Sequence, residues 1–151
     1  MKAISSEIQL ENFTILQSHY NYIPSKRKIK NPQDLFKDLD IDIDFTHQVN
    51  EDHSIRVFTK IAVNHGENPK AGYQLFIEGV AVFSFLETEN LSEKEQNNLK
   101  FYSTVNILIG YLRNSLASLT TASPLGQYLL PPININDLFR KKSAQTNTEN
   151  K

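Results

Sequence analysis

Apolar and polar residues alternate along two neighbouring segments in the first half of the chain. Between residues 39 and 49 nearly every odd position is apolar and every even position is polar, and residues 55–63 repeat the pattern. Such alternation is typical of a strand with one face buried and the other in water. Because a short polar stretch separates the two segments, we predict an antiparallel hairpin with a three-residue loop, which places Asp42 opposite Lys60.

A third strand-like segment, residues 73–86, is apolar on both faces. Its odd positions are all apolar or glycine, and its even positions include Phe76, Val80 and Val82. A strand of this kind has to be covered on both sides, whereas the sequence predicts one long helix with which to cover it. We therefore expect another subunit or a bound apolar ligand on the even face.

An apolar segment near the N-terminus predicts a fourth strand. Ile8 and Leu10 share one phase of the alternation, whereas Phe13 and Ile15 share the other. This shift of phase near Asn12 predicts a β-bulge, in which one extra residue is inserted into the strand. Strand patterns in the first half of the chain and helical patterns in the last third indicate an α+β fold.

The last third of the chain predicts the long helix. Ser92 and Glu95 have the spacing of a capping box, in which each side chain satisfies a free backbone amide of the first turn. From Phe101 onward, apolar residues recur at helical spacing and form a surface broader than one stripe. We predict that this surface packs against another subunit, and that Gly110 bends the helix or admits a second backbone. The predicted oligomer interface comprises Val105, Leu108, Leu112, Leu116 and Leu119.

The segment after this helix contains strong breaking signals. Ser123-Pro124 and Gly126 end the helix, and residues 136–139 begin a second, shorter one. Residues 140–151 are polar and without periodicity, so we predict a disordered tail after a single domain that covers residues 1–139.

Composition restricts the class of protein. The chain has 151 residues, 39% hydrophobic residues, a formal net charge of -1 and no cysteine. This charge does not favour nucleic-acid binding, and the lack of cysteine excludes disulfides and thiolate metal sites. We find no apolar stretch of the length that a signal peptide or a membrane span requires. The expected location is the cytoplasm, without membrane insertion.

Candidate catalytic groups are sparse and scattered. The sequence lacks a glycine-rich phosphate loop and the common hydrolase and metalloprotease motifs, and its four histidines are spread over different segments. The predicted hairpin brings His47 near His53, but no nucleophile or orienting group accompanies them. We therefore predict no catalytic residue, no metal site and no cofactor.

The order and spacing of several short motifs in the C-terminal half carry a family resemblance. These motifs are the run from Val105 to Arg113, Leu119-Thr120, Pro132-Ile133-Asn134 and Leu138-Phe139. Together they resemble the C-terminal half of the bacterial SecB export chaperones. The match departs at Gly110, where the family pattern has a proline.

The resemblance implies a fold, an assembly and an activity. SecB-like chaperones have an α+β fold, with a four-stranded antiparallel sheet packed by one long C-terminal helix and a short second helix. They assemble as dimers of dimers, with long helices at the tetramer core, and they use no nucleotide. Apolar grooves between their sheet, loop and second helix hold unfolded polypeptide. The resemblance thus implies a homotetrameric holdase that binds unfolded polypeptide clients. Here the expected client groove comprises Phe76, Val80 and Val82 from the third predicted strand and Tyr128, Leu129, Leu130 and Ile133 from the segment after the helix.

Three hypotheses about the binding partner remain open. Export chaperones of the family deliver clients to the SecA motor through acidic residues, and the corresponding positions here are Ile15, His19 and Phe76. SecA is therefore one candidate partner, and a dedicated client such as an antitoxin is another, as in other SecB-like proteins. The alternative from a different class is a domain that binds a small apolar ligand in a closed, selective pocket.

Overall fold

Four antiparallel strands form a single sheet in the computed structural model, which describes residues 1–3, 5–86 and 91–149. The strands are β1 (Ile8–Ile23), β2 (Ile41–Val49), β3 (Ile55–Val63) and β4 (Gly72–Phe85). Their order in the sheet is β1-β4-β3-β2, so β1 and β2 are the two edges. The predicted four-stranded antiparallel sheet is confirmed.

The β2–β3 hairpin corrects the predicted register. Val49 pairs with Ile55, so the loop has five residues instead of three, and Asp44 lies opposite Lys60 where Asp42 was expected. The longer loop still has an odd number of residues, and the apolar faces of both strands therefore stay on one side. Inside the turn, Asp52 accepts hydrogen bonds from the N–H and the hydroxyl of Ser54. These bonds stabilise the longer turn.

Strand β1 is long and bulged. Its pairing with β4 shifts between Leu10 and Asn12, which confirms the bulge predicted from the change of phase. A second shift lies between Ile15 and Gln17. A bulge leaves one residue without a partner and twists the strand. Ile15 and the bulged Leu16 are consequently exposed at the free edge of the sheet.

One face of the sheet is covered by a continuous helix of 28 residues. This helix, α1, has an α-helical start (Glu93–Asn97), a π-helical part (Asn98–Ser103) and a long α-helical part (Thr104–Thr120). Ser92 and Glu95 form the predicted capping box. The apolar seam of α1 packs on the odd-numbered residues of β3 and β4, and this contact forms the core of the chain.

The second helix, α2 (Ile135–Glu149), is longer than predicted. Asp137 in its first turn pairs with Arg140 and Lys141, and Asn134 accepts a hydrogen bond from the Asp137 N–H. Such i,i+3 and i,i+4 pairs stabilise the first turns of α2, where Leu138 and Phe139 pack against the core. The structure describes residues 140–149, where a disordered tail was expected, as part of α2, while residues 150–151 lie outside the described part. Within the described ranges, no helix has both the length and the apolar character needed to cross a membrane.

Candidate functional site

Most of the predicted interface residues are core residues of this single chain. Val105, Leu108, Leu112 and Leu116 are completely buried against the sheet. A side chain without exposed surface cannot contact a second copy, so the structure corrects the interface prediction for these four residues. Leu119, the fifth, lies at the surface.

A different apolar surface is exposed along α1 and the adjacent edge strand. Ile15 and Leu16 of β1 are 42% and 50% exposed, and Tyr111 of α1 is 45% exposed. The ring of Tyr111 lies 5.0 Å from that of Phe13, so helix and edge strand are in direct contact. We refer to Ile15, Leu16, Tyr111 and Leu119 as the edge patch. Helical periodicity alone did not distinguish the exposed Tyr111 and Leu119 from the buried apolar residues of α1.

The two halves of the predicted client groove lie on opposite faces of the sheet. Phe76, Val80 and Val82 are half-buried on the face that points away from α1, because successive side chains of a strand point to opposite sides. Tyr128 and Leu130 are buried on the helix side. The predicted groove is thus corrected, since a sheet separates its two walls.

Hydrogen bonds explain why the segment after α1 turns inward. The Tyr128 N–H donates to the hydroxyl of Thr120 at 2.8 Å, and the Arg113 Nε–H donates to the carbonyl of Leu130 at 3.0 Å. Burial raises the pKa of Tyr128 to about 12. Leu129, between the two anchored residues, is 64% exposed. The segment is therefore tied to α1 and not free to face the outer side of the sheet.

The outer face of the sheet is partly covered by its own side chains. His19 of β1 stacks on Phe76 with a centroid distance of 5.1 Å and an interplanar angle of 13°. The His65 ring lies 6.1 Å from Phe76 and 5.9 Å from His19. These contacts shield Phe76, which lowers the apolar area that this face offers to a client.

A cleft with both apolar and charged walls lies between the edge strand β2 and helix α2. Its cavity has a volume of about 220 Å³, and we call it the β2–α2 cleft. Its apolar lining residues are Ile41, Ile43, Phe45, Ile133 and Leu138, and its polar ones include Asp42, Asp44, Asp137, Lys141 and Lys142. Of the seven predicted groove residues, Ile133 lies in this cleft. The segment after α1 therefore contributes one predicted groove residue, Ile133, to this cleft. The strand that faces Ile133 across the cleft is β2, whereas β4 was predicted.

Aromatic rings connect α2 to the rest of the chain beside this cleft. Phe139 of α2 stacks on Tyr102 of α1 with a centroid distance of 4.0 Å and an interplanar angle of 19°. On its other side, Phe139 lies 4.5 Å from the ring of Phe45 in β2. The sequence motif that ends in Leu138-Phe139 pointed to this residue, but the positions of its partners depend on the fold.

One carboxylate at the cleft holds two cations. The Asp44 oxygens lie 2.5 Å from the Lys142 ammonium of α2 and 3.4 Å from that of Lys60 in β3. Burial acts to raise the pKa of Asp44, but the hydrogen bond and charge of Lys142, together with the Phe45 N–H and Lys60, outweigh it. The pKa of Asp44 is therefore below its ordinary value, which keeps the carboxylate charged.

His47 joins β2 to the π-helical part of α1. Its Nε2–H donates to the carbonyl oxygen of Phe101 at 3.1 Å, and its ring packs edge-on against the Phe101 ring. Burial lowers the pKa of His47. His47 pairs with Val57 across the hairpin, whereas His53 lies in the turn, so the predicted neighbourhood of the two histidines is wrong.

A larger cavity of about 510 Å³ lies at the other end of the sheet, beside the start of α1. The Lys100 ammonium borders it, 5.8 Å from the centroid of the Phe85 ring. None of the predicted site residues lines this cavity. In the part of the chain that the structure describes, no three histidine or carboxylate side chains stand close enough to hold a metal ion.

The fold of the chain is similar to that of a solved chaperone structure. The chain is similar in structure to a SecB-like chaperone of Mycobacterium tuberculosis that was solved with a ChAD peptide from the HigA1 antitoxin. The TM-score is 0.54 at 16% sequence identity, over 84% of this chain and 91% of that one. A protein of unknown function from Streptococcus agalactiae aligns with a TM-score of 0.42 at 12% identity, over 85% of this chain and all of that one.

Sequence comparison identifies the family. Among curated proteins, no sequence matches this chain. The family profile for SecB, described as preprotein translocase subunit SecB, matches residues 24–146 and thus most of the chain. The matched range includes β2, β3, β4 and α1, together with the β2–α2 cleft. The chain therefore belongs to the SecB family.

Proposed function

We propose that this protein is an ATP-independent holdase that binds unfolded polypeptides in the β2–α2 cleft. Proteins of the SecB family are chaperones and not enzymes, and the family match over residues 24–146 is the observation that carries the proposal. A holdase needs exposed apolar surface and no reacting groups. The cleft offers five apolar side chains, beside seven polar ones, around an open cavity.

The position of the cleft suits an extended client. Strand β2 is an edge of the sheet, so one row of its backbone N–H and C=O groups has no neighbouring strand. Edge strands of this kind can pair with an extended peptide, and alternate side chains of that peptide then enter adjacent pockets. Ile41 and Ile43 point into the cleft from the same strand. An extended segment along β2 would thus bury its apolar side chains against them.

We further propose that the protein assembles through the edge patch. Ile15, Leu16, Tyr111 and Leu119 are large apolar side chains that are each 38–50% exposed, and burying them against a second copy would be favourable. A Cβ built on Gly110, the neighbour of Tyr111 in α1, meets nothing within 4 Å of its own chain, which leaves room for a partner's backbone. A homodimer, or the dimer of dimers expected from the family, would cover this surface, and we retain the cytoplasm as its expected location.

A dedicated client is the partner that we favour over SecA. Two of the three positions where acidic residues are expected for SecA, His19 and Phe76, form a stacked ring pair on the outer sheet face. That pair carries no carboxylate to meet a basic partner. The structurally similar mycobacterial chaperone was solved with an antitoxin peptide, which supports a specific client here.

The holdase function is tested by adding the protein to an unrelated, aggregating protein without ATP. Light scattering by the aggregate should fall when the two are near stoichiometric. Ile133→Ser should weaken client binding by about 1–3 kcal/mol through lost apolar burial. Phe76→Ser is the matched control on the opposite sheet face, and it should leave client binding unchanged.

Two outcomes would contradict this proposal. Undiminished scattering together with a bound small molecule in the mass spectrum of the purified protein would favour the small-ligand alternative. Equal loss of client binding in the Ile133 and Phe76 variants would place the client elsewhere than the cleft.

A further inference from the structure

The connection between β1 and a short 3₁₀ helix, Pro32–Phe36, is strongly basic. Four exposed cations lie within five consecutive residues of it, and we call them the basic loop: Lys26, Arg27, Lys28 and Lys30. These are four of the chain's 16 Lys and Arg residues, so the rest of the chain has 12 cations against 17 Asp and Glu residues. The basic loop is therefore opposite in charge to the remainder of the protein.

The charge of the basic loop is not neutralised by its own chain. In residues 1–3, 5–86 and 91–149, none of its four cations forms an ion pair. Asp34, the nearest carboxylate along the chain, is instead paired with Lys37 at 2.7 Å. Like charges that are held close together repel one another, and a bound anion relieves this repulsion. The basic loop consequently favours an acidic partner.

The basic loop has a fixed place in the fold. On one side Ile23, the last residue of β1, is paired with β4. The Ser25 hydroxyl then accepts a hydrogen bond from the Arg27 N–H at 3.1 Å and donates one to the Arg27 carbonyl at 3.0 Å. On the other side, the ring of Phe36 lies 5.1 Å from that of Tyr73 in the core. Because both ends are held, the four cations form a surface at a defined position.

The basic loop and the β2–α2 cleft lie at the same end of the sheet. The register places the end of β1 at Ile23 and the start of β2 at Ile41 beside the start of β4. Ile41 lines the cleft. The strands β1 and β2 are three spacings apart, which is about 14 Å at about 4.8 Å for each spacing. About four extended residues of a bound polypeptide cover this distance.

We infer that the basic loop binds an acidic segment of the client while a neighbouring apolar segment of the same client occupies the β2–α2 cleft. The inference rests on the proposed client function and specifies the class of client, an apolar segment with Asp and Glu residues about four positions away. Nucleic acid suits the loop less well, because the rest of the chain is acidic and residues 26–30 contain no aromatic ring on which a base could stack.

Two capped peptides test the charge preference. Both have an apolar block at the centre and Gly/Ser spacers of about four residues, and their two ends carry either Glu or Gln blocks. An acidic block at each end serves either direction of the peptide along β2. The unmodified protein should bind the Glu peptide about three- to tenfold more tightly at low salt, as expected from a few exposed ion pairs. At about 1 M salt, where the Debye length is about 3 Å, this preference should largely disappear.

A matched pair of double variants locates the site. Lys26→Gln with Lys28→Gln should lose most of the preference for the Glu peptide and keep the affinity for the Gln peptide. Lys2→Gln with Lys94→Gln removes the same charge before β1 and at the start of α1, and should keep the preference. All four lysines are exposed, so both variants are expected to fold, which far-ultraviolet circular dichroism checks.

The remaining outcomes separate the inference from the proposed function. Equal affinity of the unmodified protein for the two peptides would overturn the inference, as would an unchanged preference in the Lys26 and Lys28 variant. An equal loss of preference in the control variant would assign the effect to net charge and also overturn it. Tighter, loop-dependent binding of an oligouridylate of the same charge would replace the acidic client with a nucleic acid. If neither peptide binds and the aggregation of an unfolded protein is not suppressed, the client function itself is wrong.

Discussion

Leu112 of α1 and Gly79 of β4 meet at a close contact between helix and sheet. A Cβ atom at position 79 would lie 2.8 Å from Cδ2 of Leu112, and 3.3 Å from both the Phe13 ring and the Thr14 carbonyl oxygen. Leu112 is completely buried. Glycine at position 79 therefore lets α1 approach the centre of the sheet, and this approach sets the depth at which the apolar seam packs.

Gly79→Ala is predicted to destabilise the protein. Alanine favours the folded strand by about 0.5–1 kcal/mol relative to glycine, but overpacking a rigid core costs about 1–3 kcal/mol. The free energy of unfolding in urea should therefore fall by about 1 kcal/mol or more. In a Leu112→Ala background the added methyl group has room, so the same change should cost less there. Equal costs in both backgrounds would show that the contact is not responsible.

Gly110→Ala is predicted to have the opposite effect. A Cβ at position 110 meets no atom of the chain within 4 Å, and the residue lies inside the α-helical part of α1. Alanine should raise the free energy of unfolding of the subunit by about 0.5–1 kcal/mol through helix propensity. If the oligomer also becomes weaker by light scattering, a partner's backbone approaches at this position. A loss of subunit stability would contradict the prediction.

Adjacent residues of α1 separate assembly from folding. Tyr111→Glu places a charge in the edge patch, and we expect a folded protein of lower molar mass in light scattering. Leu112→Glu instead buries an unpaired carboxylate, at a cost of several kcal/mol, and should unfold the chain. Far-ultraviolet circular dichroism distinguishes the two results. If the Leu112→Glu protein instead stays folded and only dissociates, the buried seam of α1 is the subunit interface and the prediction is wrong.

Stability should depend on pH through His47. Burial holds the pKa of His47 in the folded chain below its ordinary value of 6.5. Above pH 6.5 the ring is neutral in both folded and unfolded chains, so its contribution does not change. Between pH 6.5 and the lower folded pKa, the unfolded chain binds a proton that the folded chain does not. The free energy of unfolding therefore decreases as the pH is lowered through this range.

His47→Gln tests this dependence. Urea unfolding should show that the decrease in stability below pH 6.5 becomes smaller in the variant, because the titrating group is gone. Asp44 has a lowered pKa, so its contribution is lost in a more acidic range, and the two effects are therefore separable. An unchanged pH dependence in the variant would exclude His47 as its source.

Local patterns in the sequence predicted the elements of this fold. Strand alternation located β2, β3 and β4, the change of phase near Asn12 located a bulge, and Ser92 with Glu95 located the start of α1. Each of these features depends on residues close together in the chain. The order and spacing of the C-terminal motifs, which end in Leu138-Phe139, indicated the SecB family in the same way.

Tertiary structure decided which apolar surface faces which partner. Periodicity predicted the seam of Leu108 and Leu112 but not whether sheet or subunit covers it, because burial depends on distant residues such as Gly79. The two predicted halves of the client groove lie apart for the same reason, because the pleat of β4 turns Phe76 away from the side on which Tyr128 is buried. Asp44 and Lys142 are 98 positions apart, and their pairing depends on how α2 folds back against β2. Contacts of this kind leave no periodic signal, so the sequence determined the elements and the family, and the packing of those elements determined the site.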